Sequence, residues 1–238
     1  MAGHGRKRHL KRLASPVSWG IGRKGIRWVR KPAPGAHAQK EAMPLLILLR
    51  DKLGLAADAR EARKALKAGL VLVDGRKVGD DGFSVGLMDL VAIPAEKKEF
   101  VVLVKGDKLV LQPIKKTSVK YCKILDKKYY AKGKVQLNLH DGRNHLIEKE
   151  EDRFKPGDTL KLTVPEQKMA GFAKLDKGCL CLVCKGRHAG QIGELTEVME
   201  RVGSKPSDAR IKTPGGEVVT LKDYLIVIDK EFESGEAK

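Results

Sequence analysis

The sequence is short of aromatics, which make up 5% of its 238 residues. No apolar run approaches the roughly 18 residues a membrane-spanning helix needs. No apolar stretch of the kind a secretory signal uses follows the basic N-terminus. The expectation is a soluble, intracellular chain with no membrane partner. Cysteines number four, with Cys122 alone and Cys179, Cys181 and Cys184 spaced C-x-C-x-x-C. A structural zinc wants four ligands, usually as two close pairs, and no second pair exists here. The thiols read as buried structural residues, with no metal and no cofactor expected. A glycine–lysine–serine/threonine phosphate loop is missing, as is any nucleophile motif. No catalytic residue or small-molecule substrate is assigned.

Acidic residues are also missing where they would matter most. Residues 1–40 hold eleven Lys or Arg and no acid, the first being Glu41. Over the whole chain 48 Lys and Arg face 30 Asp and Glu, a net charge of +18. A polyanion is the default partner for such a surplus. Hydrophobic residues amount to 42%, which excludes a fully disordered chain.

The basic head carries Arg6, Lys7, Arg8, Lys11, Arg12, Arg23, Lys24, Arg27, Arg30 and Lys31. Its apolar residues show no helical or strand period, so it is expected not to fold unaided and to order along phosphates. Trp19 and Trp28 could anchor it, under a neighbouring domain or on a nucleobase.

Met43 to Leu53 reads as a buried helix, with Pro44 in its first turn and Gly54 ending it. Asp58, with Glu61 three residues on, reads as the capping box of a second helix that Gly69 stops. In that helix Ala59, Ala62 and Leu66 form the apolar stripe. Arg60, Arg63, Lys64 and Lys67 fall at i, i+3, i+4 and i+7 and share one face. Like charges so placed repel unless a polyanion lies opposite. Leu70 to Val73, Asp74-Gly75 and Arg76-Lys77-Val78 read as a tight hairpin. Leu87 to Pro94 reads as a further strand.

Between residues 106 and 170 short β-like runs alternate with turns at Gly106, Gly133, Asp141-Gly142 and Pro156-Gly157-Asp158. Lys115, Lys116, Lys120, Lys123, Lys127 and Lys128 read as a second basic cluster. His140, Asp141, Arg143 and His145 contain ingredients of acid–base chemistry, but Asp141-Gly142 is first of all a turn. Further on, Cys179 to Val183 and Gln191 to Val198 read as strands around a basic loop carrying Lys185, Arg187 and His188. Gly215-Gly216 marks one more strand pair. The acidic tail of Asp229, Glu231, Glu233 and Glu236 is expected to face solvent or a protein neighbour.

The stretch Ala59 to Val78 resembles the S-four-type RNA-binding module. The loop Lys185-Gly186-Arg187-His188-Ala189-Gly190 resembles a KOW motif, with Ala189 where many members carry Lys. The full order is similar to the ribosomal protein family S-four-e, archaeal type. The matching stretches include His9-Leu10-Lys11-Arg12-Leu13, Pro34-Gly35-Ala36-His37, Val73 to Val78, Gly86-Leu87-Met88-Asp89, His140-Asp141-Gly142-Arg143 and Gly186-Arg187 with Gly190.

The resemblance implies an α+β, multi-domain chain. A basic extension (1–42) would precede an S-four-type, or alpha-L, helix–helix–hairpin module (43–105). A central small β-barrel-like domain (106–170) and a C-terminal KOW/SH3-like β-barrel with acidic tail (171–238) would follow. It implies a structural constituent of the cytoplasmic 30S subunit, bound to 16S ribosomal RNA and other 30S proteins. The RNA-binding set is the head cations, the four helix cations, Arg76, Lys77, Arg143, Lys185 and Arg187. The alternative is a pseudouridine-synthase-like RNA-modifying enzyme anchored by the S-four-type module, for which Asp141 is the sole candidate. A KOW-bearing regulator bound to RNA polymerase is the third reading.

Overall fold

The computed structural model describes residues 9–114, 119–130, 133–201, 203, 205–229 and 232. Arg6, Lys7, Arg8, Lys115, Lys116, Glu231, Glu233 and Glu236 lie outside them. Among the described residues strands dominate. Apart from single-turn segments, helix is confined to Leu45–Lys52 and Ala59–Lys67. The expected α+β class therefore gives way to a mainly β architecture. Three five-stranded antiparallel sheets carry it.

The head does not stand apart from the domain that follows it. Leu10–Lys11 pairs antiparallel with Trp28–Val29. Trp19 is fully buried and donates its indole N–H to Ala42 O at 2.6 Å. Arg12 clamps the segment by donating to Gly22 O at 2.9 Å, to Ser15 Oγ at 2.8 Å and to Ile21 O. With Trp19 and Val29, the head contributes to the core beneath both helices. Its buried residues Trp19 and Val29 thus share one core with the unit that follows.

In the first helix Leu45, Leu46, Ile47, Leu48 and Leu49 are all buried, as expected of a helix apolar all round. Pro44 caps it from an extended conformation at the end of a short strand, Ala42–Pro44. The last turn widens, so that Leu53 N–H reaches Leu48 O at 3.0 Å. The second helix starts after Asp58, but the expected capping box is shifted. The Asp58 side chain makes no capping bond, and Glu61 Oε2 accepts from Ala57 N–H at 2.8 Å instead. The hairpin is as expected: Leu72–Val73 pairs with Arg76–Lys77. Asp74 at φ 49° and Gly75 at φ 72° supply the two positive φ values of its tight turn.

The sheet of this unit runs in the order Arg76–Lys77, Leu72–Val73, Leu90–Ile93, Lys98–Lys105, Lys108–Ile114. Its last two strands are joined at Gly106, so the boundary expected at 105/106 falls inside a hairpin. The middle sheet packs Cys122, Ile124, Val135, Leu137, Leu160 and Leu162 into a second core. The C-terminal sheet builds its own core around Cys181, Leu195 and Ile211. A further core lies between units, where Met88, Val101 and Leu103 meet Tyr121, Leu182 and Ile226.

Candidate nucleic-acid interface

Exposed cations stand on the head, the second helix and the hairpin turn, and others are spread over the middle and C-terminal units, as at Lys128, Lys155, Arg187 and Lys212. Arg60, Arg63, Lys64 and Lys67 are exposed, while Ala62 and Leu66 are buried beneath them. The 3.6-residue period places them so. At the end of this helix the Lys77 stem crosses Gly69, whose Cβ would sit 3.1 Å from Lys77 Cδ. The Lys77 stem therefore packs on the glycine that ends the helix. Asp81 ties the head to this surface, accepting from Arg30 at 2.8 Å and from Arg63 at 2.7 Å. Arg23, Lys24, Arg27, Arg76, Lys77 and Arg187 are exposed, and Lys31 is half-buried.

Several of the sequence-predicted cations have partners within the chain. Arg12 is held by backbone carbonyls. Arg30 and Arg63 share Asp81. Lys185 Nζ lies 2.6 Å from Glu41 Oε1. Arg143 binds Asp74, and its Nε lies 3.3 Å from Asp141 Oδ2. Arg143 thus stands mainly in a buried ionic hub.

The centre of that hub is Lys120, whose side chain is sealed from solvent. Its ammonium lies 2.7 Å from Asp74, 2.6 Å from Asp89 and 3.2 Å from Asp141. Asp74 Oδ1 also accepts from Leu90 N–H at 3.0 Å. Asp89 Oδ2 accepts from Gly86 N–H at 2.8 Å and faces His37 Nε2 at 3.1 Å. A Cβ on Gly86 would stand 2.4 Å from the His37 ring, so only glycine admits that histidine. The head, the hairpin, the turn after Gly86 and the middle sheet are joined here.

Burial alone would raise the Asp89 carboxyl. Lys120, then His37 and the Gly86 N–H, overcome it and hold Asp89 far below the usual carboxylate range. Burial would likewise lower Lys120, but Asp89, Asp74 and Asp141 together raise it. For His37 burial pulls down, while the hydrogen bond and charge of Asp89 raise it above 6.5. His140 goes the other way, pushed down to about 4 chiefly by burial. Its Nδ1 accepts from Lys123 N–H at 3.2 Å, and its Nε2 donates to Leu87 O at 3.2 Å.

Cys122, His140 and Asp141 bring three donor atoms within 4.8 Å of one another. They do not suit a metal. Both His140 nitrogens are engaged, burial raises the Cys122 thiol first and foremost, and Lys120 already supplies the positive charge at Asp141. Asp141 is 2% exposed and surrounded by cations, so it cannot meet an RNA substrate as the alternative enzyme reading requires. The Cys179 and Cys181 sulfurs lie 3.4 Å apart, but Cys179 stands just before the strand Leu180–Val183 and is only half-buried, unlike the other three thiols. Burial pushes Cys184 up to about 12.

Of the second basic cluster Lys115 and Lys116 lie outside the described residues and Lys128 is exposed, but the other three turn inward. Lys120 and Lys123 are buried, Lys123 Nζ donates to Asp223 O at 2.6 Å, and Lys127 pairs with Asp152. The signal that could have found this is period two: Lys120 shares a strand face with the core residues Cys122 and Ile124. The 185–190 loop also docks. Ala189 is buried, and its carbonyl accepts from Gly106 N–H at 2.9 Å. A long cation does not fit at Ala189. Asp229 pairs with Lys161 and accepts from Tyr121 OH at 3.2 Å. The start of the acidic tail therefore faces its own chain.

Three family models match the chain: the RS4NT (NUC023) domain over residues 4–40, the S4 domain over 43–91 and Ribosomal family S4e over 90–169. The small ribosomal subunit protein eS4 of Methanothermobacter thermautotrophicus is 44% identical, covering 94% of this chain and 93% of the relative. The eS4 of Methanocaldococcus jannaschii is 41% identical, covering 97% and 98%. The crystal structure of the 30S ribosomal protein S4e from Thermoplasma acidophilum superposes with a TM-score of 0.68 at 30% identity. It covers 79% of this chain and 95% of that one.

Proposed function

The chain belongs to the ribosomal S4e family, and from that premise we propose that it binds 16S ribosomal RNA through the exposed cations of its head, second helix and hairpin turn. It is a structural constituent of the small ribosomal subunit in the cytoplasm, and not an enzyme. The observation that carries the RNA reading is the exposed cationic face of the second helix, with Arg76 and Lys77 exposed on the hairpin that follows. Most contacts go to phosphate and sugar, with the shape of the folded RNA setting the site.

In this reading the chain works as four segments. The head (1–42), the S4-type unit (43–105, with its sheet running on to Ile114) and the middle β unit (to 170, with its last strand running on to Ala173) meet at the hub, and a KOW-like C-terminal unit (171–238) packs on them through the core of Met88, Val101, Tyr121, Leu182 and Ile226. Arg187 is the loop cation aimed at RNA, while Lys185 braces the loop on Glu41. Other 30S proteins are its remaining neighbours. Sucrose-gradient sedimentation of cell extract at low salt tests the proposal. The protein is expected to travel with 30S particles, and its absence from them would contradict it.

A further inference from the structure

The two tryptophans have different fates. Trp19 is fully buried and hydrogen-bonded. Trp28 is 50% exposed, although burying an indole is among the larger apolar gains open to a chain. The cause is local. Trp28 and Val29 alternate on a strand paired with Leu10–Lys11, and Val29 takes the inward position. The ring is thereby held out, not left unplaced. Around it stand Arg27 Cζ at 5.6 Å and Lys11 Nζ at 6.0 Å from the centroid, with His9 edge-on at 5.8 Å.

Lys11 and Arg27 also line an adjoining cleft of about 410 Å³, which Leu13, Ile26, Arg12 and Arg23 complete. Leu13 and Ile26 are themselves exposed. An apolar surface beside a row of cations suits a ligand with a flat apolar face and flanking negative charge. An unpaired nucleotide has both. A purely apolar protein surface would cover the ring but leave the cations uncompensated, since residues 1–40 contain no acid.

We propose that Trp28 is a stacking platform for one unpaired base of the small-subunit RNA, with Lys11 and Arg27 taking the adjacent phosphates. This rests on the RNA-binding function and adds the kind of RNA element recognised: a splayed, single-stranded base. Aromatic stacking of this kind tolerates any base and gains most from the π face.

The chain has two tryptophans, so fluorescence separates the roles. The full-length protein is titrated with purified 16S rRNA while emission and acrylamide quenching are followed. Emission is expected to fall on binding, and the acrylamide-accessible fraction to become protected. Trp28→Leu is expected to lose both signals and bind roughly tenfold more weakly, while Trp28→Tyr retains most of the affinity. Continued resistance of Trp19 to acrylamide shows that the variants are folded. Wild-type affinity in the folded Trp28→Leu protein would overturn the stacking role alone. So would an accessible Trp28 in the RNA complex, or protection seen only in complete subunits, which would assign the ring to a protein neighbour. Failure of the wild-type protein to bind the RNA at all would overturn the RNA-binding function itself.

Discussion

Lys120 places its ammonium 2.6 Å from Asp89 Oδ1, and neither side chain is more than 5% exposed. The two residues come from different units, and Asp74 and Asp141 complete the shell around the same cation. Removing one partner of a buried ion pair leaves an uncompensated charge, costing roughly 3–5 kcal/mol. Lys120→Met removes the cation that three buried carboxylates share and is expected to destabilise the protein by that order in denaturant unfolding. An unfolding midpoint equal to wild type, with RNA affinity reduced, would place Lys120 on the RNA surface instead.

The two hub histidines give opposite pH dependences. His140 is held neutral, so the unfolded chain takes up a proton below 6.5 that the folded chain refuses until about 4. Its contribution to stability is full above 6.5 and declines by roughly 3 kcal/mol as the pH falls to 4. His37 is raised by Asp89. Its contribution is complete below 6.5 and is lost as the pH climbs through the raised value. His140→Gln is therefore expected to flatten the acid limb of a stability–pH profile, and His37→Gln the limb above 6.5. A profile in which His140→Gln leaves the acid limb as steep as wild type would contradict this assignment.

Arg60, Lys64 and Lys67 are exposed on the helix face, whereas Arg63 also holds Asp81. Replacing the first three by Gln is expected to leave thermal unfolding unchanged and to weaken RNA binding. The slope of log affinity against log salt should shrink by roughly 0.7–0.9 for each phosphate that the variant no longer neutralises. An unaltered slope in filter-retention assays would remove this face from the interface.

The 185–190 loop meets the S4-type sheet so closely that a Cβ on Gly190 would stand 2.4 Å from Val104 O and 2.9 Å from Lys105 Cα. The residue also sits at φ 90°. Gly190→Ala is expected to destabilise by at least about 1–3 kcal/mol. Loosening of the C-terminal sheet should be visible as faster amide exchange at Gly106, whose N–H bonds Ala189 O. Unchanged exchange there would argue against the docking.

The features legible in the sequence follow from local rules. The Asp74-Gly75 turn, the helix stopped by Gly69 and the exposed cations at i, i+3, i+4 and i+7 are set by neighbours a few residues away. The hub is not local. Asp74 meets residues 46 and 69 positions distant, and no periodicity reports such pairing. Lysines at 120 and 123 look like surface charge until the strand carrying them is known to be central, paired on both edges. Ala189 looks like a missing cation because its burial depends on a turn more than 80 positions earlier. The head reads as unable to fold because the core that covers Trp19 and Val29 is built largely from the two helices that follow it.

The central claim is that the surplus positive charge answers a folded ribosomal RNA. Its most direct test is the affinity of the purified wild-type protein for 16S rRNA across a salt series. A tight complex in dilute buffer that weakens linearly on logarithmic axes, with a slope of several units, is the expected result. No complex in dilute buffer, or an affinity indifferent to salt, would contradict the claim.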